Sequence, residues 1–119
     1  MTAKNLNLEQ FTRTENYYKH SMGLLYTDGV HYLVQEAKAY WLIDAIASWQ
    51  ISPKVKKDPM LQRIQFWKLR VNTDHSASLT CERDEGNIAL SQEISYTDFP
   101  LESVTLYLAD EVLLLPSEY

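Results

Sequence analysis

The spacing of hydrophobic and polar positions changes its period near the middle of the chain. The segment "AYWLIDAIASWQ" at residues 39–50 is apolar nearly all round, which predicts a central core helix buried between layers. This helix should end before Pro53, because proline cannot continue a helix. Beyond it, "IQFWKLRVN" and "SASLTCER" alternate with a period of two, which predicts half-buried strands.

The strand-like half of the chain predicts a sheet. Trp67, Leu69 and Val71 would share one face of the first strand. The hairpin loop "DEGN" would connect the second strand to a third. "VTLYL", the turn "ADE" and "VLLLP" then complete an antiparallel meander of about five strands. Helices followed by strands are typical of α+β folds. We therefore predict one α+β domain over residues 1–119, with N-terminal helices at about 1–52 packed on one face of a sheet at about 62–116.

The triplet Tyr-Thr-Asp occurs twice, at residues 26–28 and 96–98. The N-terminal third reads as helical or irregular, and Thr27 or Asp28 could cap a helix over about 30–37, because a short side-chain oxygen accepts from the free N–H groups of the first turn. In "YTDFP", Asp98 could similarly cap a helical turn that opens at the proline. We interpret both triplets as an aromatic anchor followed by a cap, since the flanking sequences do not align as a repeat.

The composition is that of one globular domain. The chain has 119 residues, 45% of them hydrophobic, and only 3 glycines and 4 prolines. No signal-like N-terminal segment and no apolar run of about 18 residues is present, which predicts a cytoplasmic protein. The single cysteine, Cys81, cannot form an internal disulfide and suits a reducing compartment.

Charge is distributed very unevenly along the chain. Residues 54–70 carry six basic side chains and one acidic one, whereas the chain from residue 84 onward has eight acidic side chains and no Lys or Arg. Such an acidic region could steer the protein onto a basic partner, or could serve as a solubilising surface that pairs with residues 54–70. The candidate partner contacts are the acids of the two predicted turns: Asp84, Glu85, Asp110 and Glu111.

The basic stretch itself could bind a nucleic-acid backbone while an aromatic ring stacks on a base. Phe66 and Trp67 lie inside it. At a sequence pI of about 5.1 we favour the alternative, in which Trp67 points into the core and Lys68 and Arg70 face solvent or pair with the acidic half of the chain. Direct nucleic-acid binding is therefore not our leading hypothesis.

An enzymatic pocket is the second hypothesis. Asp28 and His31 fall on one helical face, where a carboxylate could orient an imidazole for acid-base catalysis. Asp44 lies in the most apolar helix, so we expect it to be buried and either hydrogen-bonded, for example to a tyrosine hydroxyl, or tuned for function. This hypothesis requires the two triplets to meet at an open cleft. Its residues are Tyr26, Asp28, His31, Asp44, Tyr96 and Asp98.

Metal and cofactor sites are not predicted. His20, His31 and His75 lack the short spacings of metal ligands, and the three glycines form no phosphate-binding loop. Cys81 alternates onto the same face as Leu79, where a small buried thiol is ordinary. We expect neither a metal, nor a cofactor, nor a cysteine nucleophile.

Six longer motifs carry a resemblance to a known family: "FTRTENYY", "LLYTDGVHYL", "AYWLIDAIAS", "FWKLRV", "YTDFPL" and "LLPSEY". Together they resemble an uncharacterised family of small bacterial proteins associated with plasmids, phages and other mobile elements, although Arg13 stands where that family usually has glycine. The resemblance implies no catalytic residues. It implies a context in which small acidic proteins bind and block host machinery, including restriction and CRISPR systems. Together with the acidic region, this leads us to predict a non-enzymatic protein that binds another macromolecule, such as a basic nucleic-acid-handling complex, and inhibits a host defence system of the anti-CRISPR or anti-restriction type.

Overall fold

The computed structural model describes residues 6–119 as a seven-stranded mixed sheet with three α-helices. None of its helices combines the length and the apolar character needed to cross a bilayer. The elements in chain order are β1 (Tyr17–Lys19), β2 (Leu25–Thr27), α1 (Asp28–Glu36), α2 (Tyr40–Trp49), α3 (Pro53–Lys56), β3 (Ile64–Val71), β4 (Ala77–Glu82), β5 (Ile88–Ile94), β6 (Ser103–Ala109) and β7 (Val112–Leu114).

The sheet corrects the predicted meander in two ways. Its strand order is β1-β2-β7-β6-β3-β4-β5, so β6 returns to pair with β3 instead of β5. The connection over residues 95–102 is long enough to make this return, and it leaves the eight-residue β3 hydrogen-bonded on both edges. Two further strands, β1 and β2, come from the N-terminal third that we predicted to be helical or irregular. β2 pairs with β7 in parallel, with Leu25 opposite Val112.

The central helix was predicted to within one residue at each end, but its surroundings were predicted wrongly. α2 runs from Tyr40 to Trp49, and its buried residues are Leu42, Ile43, Ile46 and Ala47. The opposite side of the helix is open, since Tyr40 is 45% exposed and the side chain of Asp44 is 69% exposed. The expected burial of Asp44 is therefore wrong, because α2 lies on the sheet with one side only.

The core is built on the face of the sheet that carries Trp67. This ring is 1% exposed, and its Nε1–H donates to Gln65 Oε1 at 2.8 Å. Trp49 at the end of α2 donates to Gln92 Oε1 of β5 at 2.7 Å, and the amide of Gln50 pairs with that of Gln65. These bonds tie the C-terminal end of α2 to β3 and β5.

Both acidic turns lie at the same end of the sheet. Ile64 at the start of β3 pairs with Ala109 at the end of β6, and Phe66 pairs with Glu82 at the end of β4. The β4–β5 connection, residues 83–87, and the β6–β7 turn, residues 110–111, must therefore leave the sheet side by side with the start of β3. We call this end of the sheet, with these two turns, the acidic end.

The second Tyr-Thr-Asp triplet does not begin a helix. Thr97 Oγ1 accepts from the N–H of Phe99 at 3.2 Å, and the Thr97 N–H donates to the carbonyl of His75 at 2.8 Å. The predicted helical turn capped by Asp98 is therefore wrong, because the chain bends at residues 100–102 and enters β6 directly. Phe99 is buried and fixes this connection to the core.

Candidate functional site

The first half of the acidic end borders an aromatic depression on the outer face of the sheet, opposite Trp67. Asp84 and Glu85, together with Phe66, Tyr107 and other residues, line a depression of about 490 Å³. The ring centroids of Phe66 and Tyr107 are 5.0 Å apart at an interplanar angle of 84°, an edge-to-face arrangement. A partner side chain placed here would meet both carboxylates and aromatic surface.

The basic groups nearest to this depression are already paired. Lys68 Nζ lies 3.3 Å from Glu82 Oε1, and Arg83 Nε donates to Asp58 Oδ2 at 2.6 Å. The Arg83 hydrogen bond is the largest of the effects that lower the pKa of Asp58 below its ordinary value. Asp84 and Glu85 form no ion pair with any residue from 6 to 119, so their charges remain uncompensated.

The second half of the acidic end is a strained two-residue turn. Asp110 and Glu111 have φ angles of +52° and +62°, the left-handed region that hairpin turns of this kind usually fill with Asn-Gly. Both side chains are exposed. They border a different cleft, of about 550 Å³, which is also lined by Lys56, Arg63 and several apolar residues. The structure thus places the four predicted contact residues at one end of the sheet but in two separate depressions.

Three residues of the alternative pocket do come together. The ring of His31 stacks on that of Tyr18 with centroids 4.1 Å apart, and Tyr26 lies 6.2 Å from His31 and 5.5 Å from Tyr18. Tyr18 also donates from its hydroxyl to Asp28 Oδ1 at 3.1 Å. Sequence reasoning missed Tyr18, because only the pairing of β1 with β2 brings it beside Tyr26.

Asp28 is occupied by structural hydrogen bonds. Besides Tyr18, it accepts from the N–H of Glu15 at 2.9 Å and from the N–H and side-chain amide of Asn16, both at 3.2 Å. The N–H of Glu15 is the largest cause that lowers the pKa of Asp28, and the bond to Asp28 is the largest cause that raises the pKa of Tyr18. A carboxylate with a lowered pKa and these four donors is a poor proton acceptor, so Asp28 serves to hold the chain before β1 against α1.

Asp44 contacts a histidine that sequence reasoning did not connect with it. Asp44 Oδ1 lies 2.6 Å from His20 Nε2, and the other ring nitrogen of His20 accepts from the N–H of Met22 at 3.0 Å. Both nitrogens of this imidazole are therefore engaged, and neither is directed at a reacting group. A separation of 24 residues gives no sequence signal for such a pair.

Tyr96 and Asp98, from the second triplet, make no described contact with the residues of the first triplet. Tyr96 is 66% exposed, and its ring lies 5.6 Å from that of His75. None of the hydrogen bonds or ring contacts described for residues 6–119 connects Tyr96 or Asp98 with the Tyr26 and Asp28 cluster. They belong to the connection at the end of the sheet opposite the acidic end.

The thiol of Cys81 and the ring of Trp67 are both buried. Burial raises the pKa of Cys81 to about 12, so the thiol stays protonated near neutral pH. Trp67 is in the core, as predicted, and has no ring surface free to stack on a base. Within residues 6–119, His, Cys, Asp and Glu side chains form no group of three or more that could hold a metal ion.

Comparison with protein-family models gives a match over nearly the whole chain, the same range over which the six motifs are distributed. Residues 2–119 match a family of unknown function, DUF6876. No curated protein and no solved structure gives a significant match to the chain. The match covers far more than half of the 119 residues, and the chain therefore belongs to the DUF6876 family of unknown function.

Proposed function

We propose that this protein is a non-enzymatic binding protein that uses its acidic end to engage a basic surface of another protein. One observation carries the proposal. The fold gathers Asp84, Glu85, Asp110 and Glu111, which come from two separate turns, at one end of the sheet, and each pair borders a depression that contains apolar side chains.

The combination of charge and apolar surface is what a protein interface requires. Uncompensated carboxylates raise the rate of encounter with a basic surface and disfavour acidic competitors. Buried aromatic contacts then supply most of the affinity, because they remove apolar area from water. Phe66 and Tyr107 are only partly buried and lie next to the carboxylates of Asp84 and Glu85.

The contacts of the alternative pocket favour binding over catalysis. Asp28 accepts four hydrogen bonds from neighbouring segments, and His20 uses both ring nitrogens. Each arrangement stabilises the fold and occupies the atoms of Asp28 or His20 that a general base would use.

The resemblance to small proteins of mobile elements extends the proposal to a class of partner. A nucleic-acid-handling complex presents the basic surface that an acidic protein would cover. By this analogy the protein would inhibit a host defence system of the anti-CRISPR or anti-restriction type. The acidic end would then occupy a site where that complex otherwise binds nucleic acid.

Affinity capture with charge-reversed variants tests the proposal. The test variant changes Asp84, Glu85, Asp110 and Glu111 to Lys. The control variant makes the same net charge change at four exposed acids outside the two turns: Glu9, Glu93, Asp98 and Glu102. Each protein is immobilised, exposed to nuclease-treated lysate of the source cells, and its retained proteins are quantified by mass spectrometry.

The two outcomes are distinct. We expect a basic protein to be retained by the wild type and by the control variant, and to be lost from the test variant and at raised salt. The same set of proteins on all three samples, unchanged by salt, would contradict the proposal.

A further inference from the structure

The cleft beside Asp110 and Glu111 has the features of a small-ligand site of its own. Its volume of about 550 Å³ falls in the range of small-molecule pockets. It lies where the end of α2, the β1–β2 connection, the segment after α3 and the β6–β7 turn converge. Three distant parts of the sequence, at residues 22–24, 47–65 and 108–111, thus contribute to one concave surface.

The cleft carries charges of both signs that do not neutralise one another. Lys56 and Arg63 line it, as do Asp110 and Glu111. None of these four side chains forms an ion pair within 4.0 Å with any described residue. Opposite charges that border one cleft but do not reach each other leave room for a ligand that carries both complementary charges.

Part of the cleft floor is apolar, although more of the exposed lining surface is polar. Leu24, Leu61 and Leu108 are buried residues that line it, and the exposed side chains of Met22 and Ile51 stand at its rim. The floor's most buried polar residue, Gln65, is 3% exposed and already donates to Leu61 O and Gln50 Oε1. The short aliphatic chain of a ligand would find apolar side chains to contact on this part of the floor, with charged side chains available for its two ends.

The backbone of the β6–β7 turn supports a role for its two carboxylates. A non-glycine residue in the left-handed region is disfavoured, and Asn-Gly would relieve both positions. The chain instead has Asp110 and Glu111 at the two strained positions, directly on the wall of the cleft.

We propose that this cleft binds a zwitterionic ligand whose carboxylate and cationic group are joined by a short aliphatic chain. The carboxylate pairs with Lys56 and Arg63, and the ammonium or guanidinium group pairs with Asp110 and Glu111. A free basic amino acid and the C-terminal Lys or Arg of a polypeptide both have this chemistry. The inference stands on the cleft and does not depend on the protein partner proposed above.

The test uses 6-aminohexanoate as the probe, measured by calorimetry on the intact protein at low salt. Hexanoate and hexylamine are matched probes that each keep one of its two charges. We expect each single-charge probe to bind about two- to fivefold more weakly, as expected for losing one exposed ion pair. Equal binding of either probe, or absence of 6-aminohexanoate binding, would overturn the proposal.

Variants locate the site. Arg63→Gln should weaken binding of 6-aminohexanoate but leave hexylamine unchanged, whereas Lys54→Gln, at an exposed residue outside the cleft lining, should change neither. Asp110→Asn with Glu111→Gly should lose the probe while the melting temperature rises, because the strained turn is relieved. Retained binding in that variant would count against the site, and the higher melting temperature rules out unfolding as the cause of a loss.

Two further probes distinguish the sources of the ligand. Free lysine is compared with the acetylated tripeptide Gly-Gly-Lys, prepared with a free or an amidated C-terminus. Binding of the free-acid peptide alone identifies a polypeptide terminus, and binding of lysine alone identifies an amino acid. If Arg63→Gln loses 6-aminohexanoate but still captures the basic protein, the small-ligand site and the protein interface are separate properties.

Discussion

The hydroxyl of Thr27 donates a 2.6 Å hydrogen bond to Oε1 of Glu118, a residue 91 positions later in the chain. The same carboxylate accepts from the N–H of Gly29 at 3.1 Å and from that of Leu115 at 2.9 Å. Glu118 therefore sits at the N-terminal end of α1, where unpaired N–H groups and the helix dipole favour a negative charge. This contact fixes the C-terminal segment onto the first helix.

Removal of this carboxylate should destabilise the fold. Glu118→Ala leaves two N–H groups and one hydroxyl without their charged acceptor, and we expect the free energy of unfolding to fall by about 1.5–3 kcal/mol. Urea denaturation followed by tryptophan fluorescence measures this change. The control, Glu102→Ala at an exposed position, should stay within about 0.5 kcal/mol of wild type. Equal stabilities of the two variants would show that the Glu118 contact contributes nothing.

Gly29 is required by the same contact. A Cβ at this position would lie 2.6 Å from Glu118 Oε1 and 2.6 Å from Leu115 Cδ1. We expect Gly29→Ala to cost about 1–3 kcal/mol of stability, as overpacking does, although alanine favours helices. In a double-mutant cycle the cost should shrink when Glu118→Ala is also present. Strict additivity of the two changes would contradict this assignment.

Acid should weaken the structure partly through Asp28. Its pKa in the folded protein is lowered, so its contribution to stability is present above the ordinary value of 3.8 and is lost as the pH falls through the lower folded value. Asp28→Asn should therefore make the loss of stability below about pH 4 less steep. Asp98→Asn, at a side chain without hydrogen bonds to the described residues, is the control. Identical pH profiles for wild type and Asp28→Asn would refute the role of Asp28.

Cys81 should resist alkylation in the folded protein. Its buried thiol, with a pKa raised to about 12, gives almost no thiolate at pH 8. Iodoacetamide should label Cys81 in urea but only at the rate of unfolding in native buffer, as mass spectrometry would show. Rapid labelling of the native protein would mean that the thiol is accessible.

Two substitutions in the strained turn at the acidic end should increase the stability of the protein. Asp110→Asn with Glu111→Gly supplies the residues that tolerate positive φ at both positions, and we expect a gain of about 1 kcal/mol in stability. Thermal denaturation by circular dichroism measures it. A fall in melting temperature would show that the two carboxylates stabilise the turn by contacts that outweigh the backbone strain.

The hydrophobic pattern of the sequence predicted the elements that are long enough to show a period. The alternation around Trp67 and the apolar run of α2 each span enough residues to show their period, and both elements are found. β1 and β2 have three residues each, too few to show a period, and β2 forms by pairing with β7 near the other end of the chain. Their existence depends on long-range contacts that no local pattern contains.

The candidate site could be predicted only from its turns. The charged loop at Asp84 and Glu85 and the "ADE" turn at Asp110 and Glu111 were recognisable as exposed connections. That Lys56 and Arg63 line the same cleft as the second pair could not be read from the sequence, because tertiary packing alone brings together segments more than 40 residues apart. The burial of Asp44 was mispredicted because an apolar composition does not show which side of a helix faces solvent.

Hydrogen exchange of the protein bound to its captured partner tests the central claim most directly. Exchange of each backbone amide is compared between the free and the bound protein by mass spectrometry. We predict slower exchange in the two turns of the acidic end, residues 83–87 and 110–111, and in the neighbouring aromatic strands. Unchanged exchange in both turns, with protection confined to other parts of the sheet or to the helices, would contradict the claim that the acidic end is the binding surface.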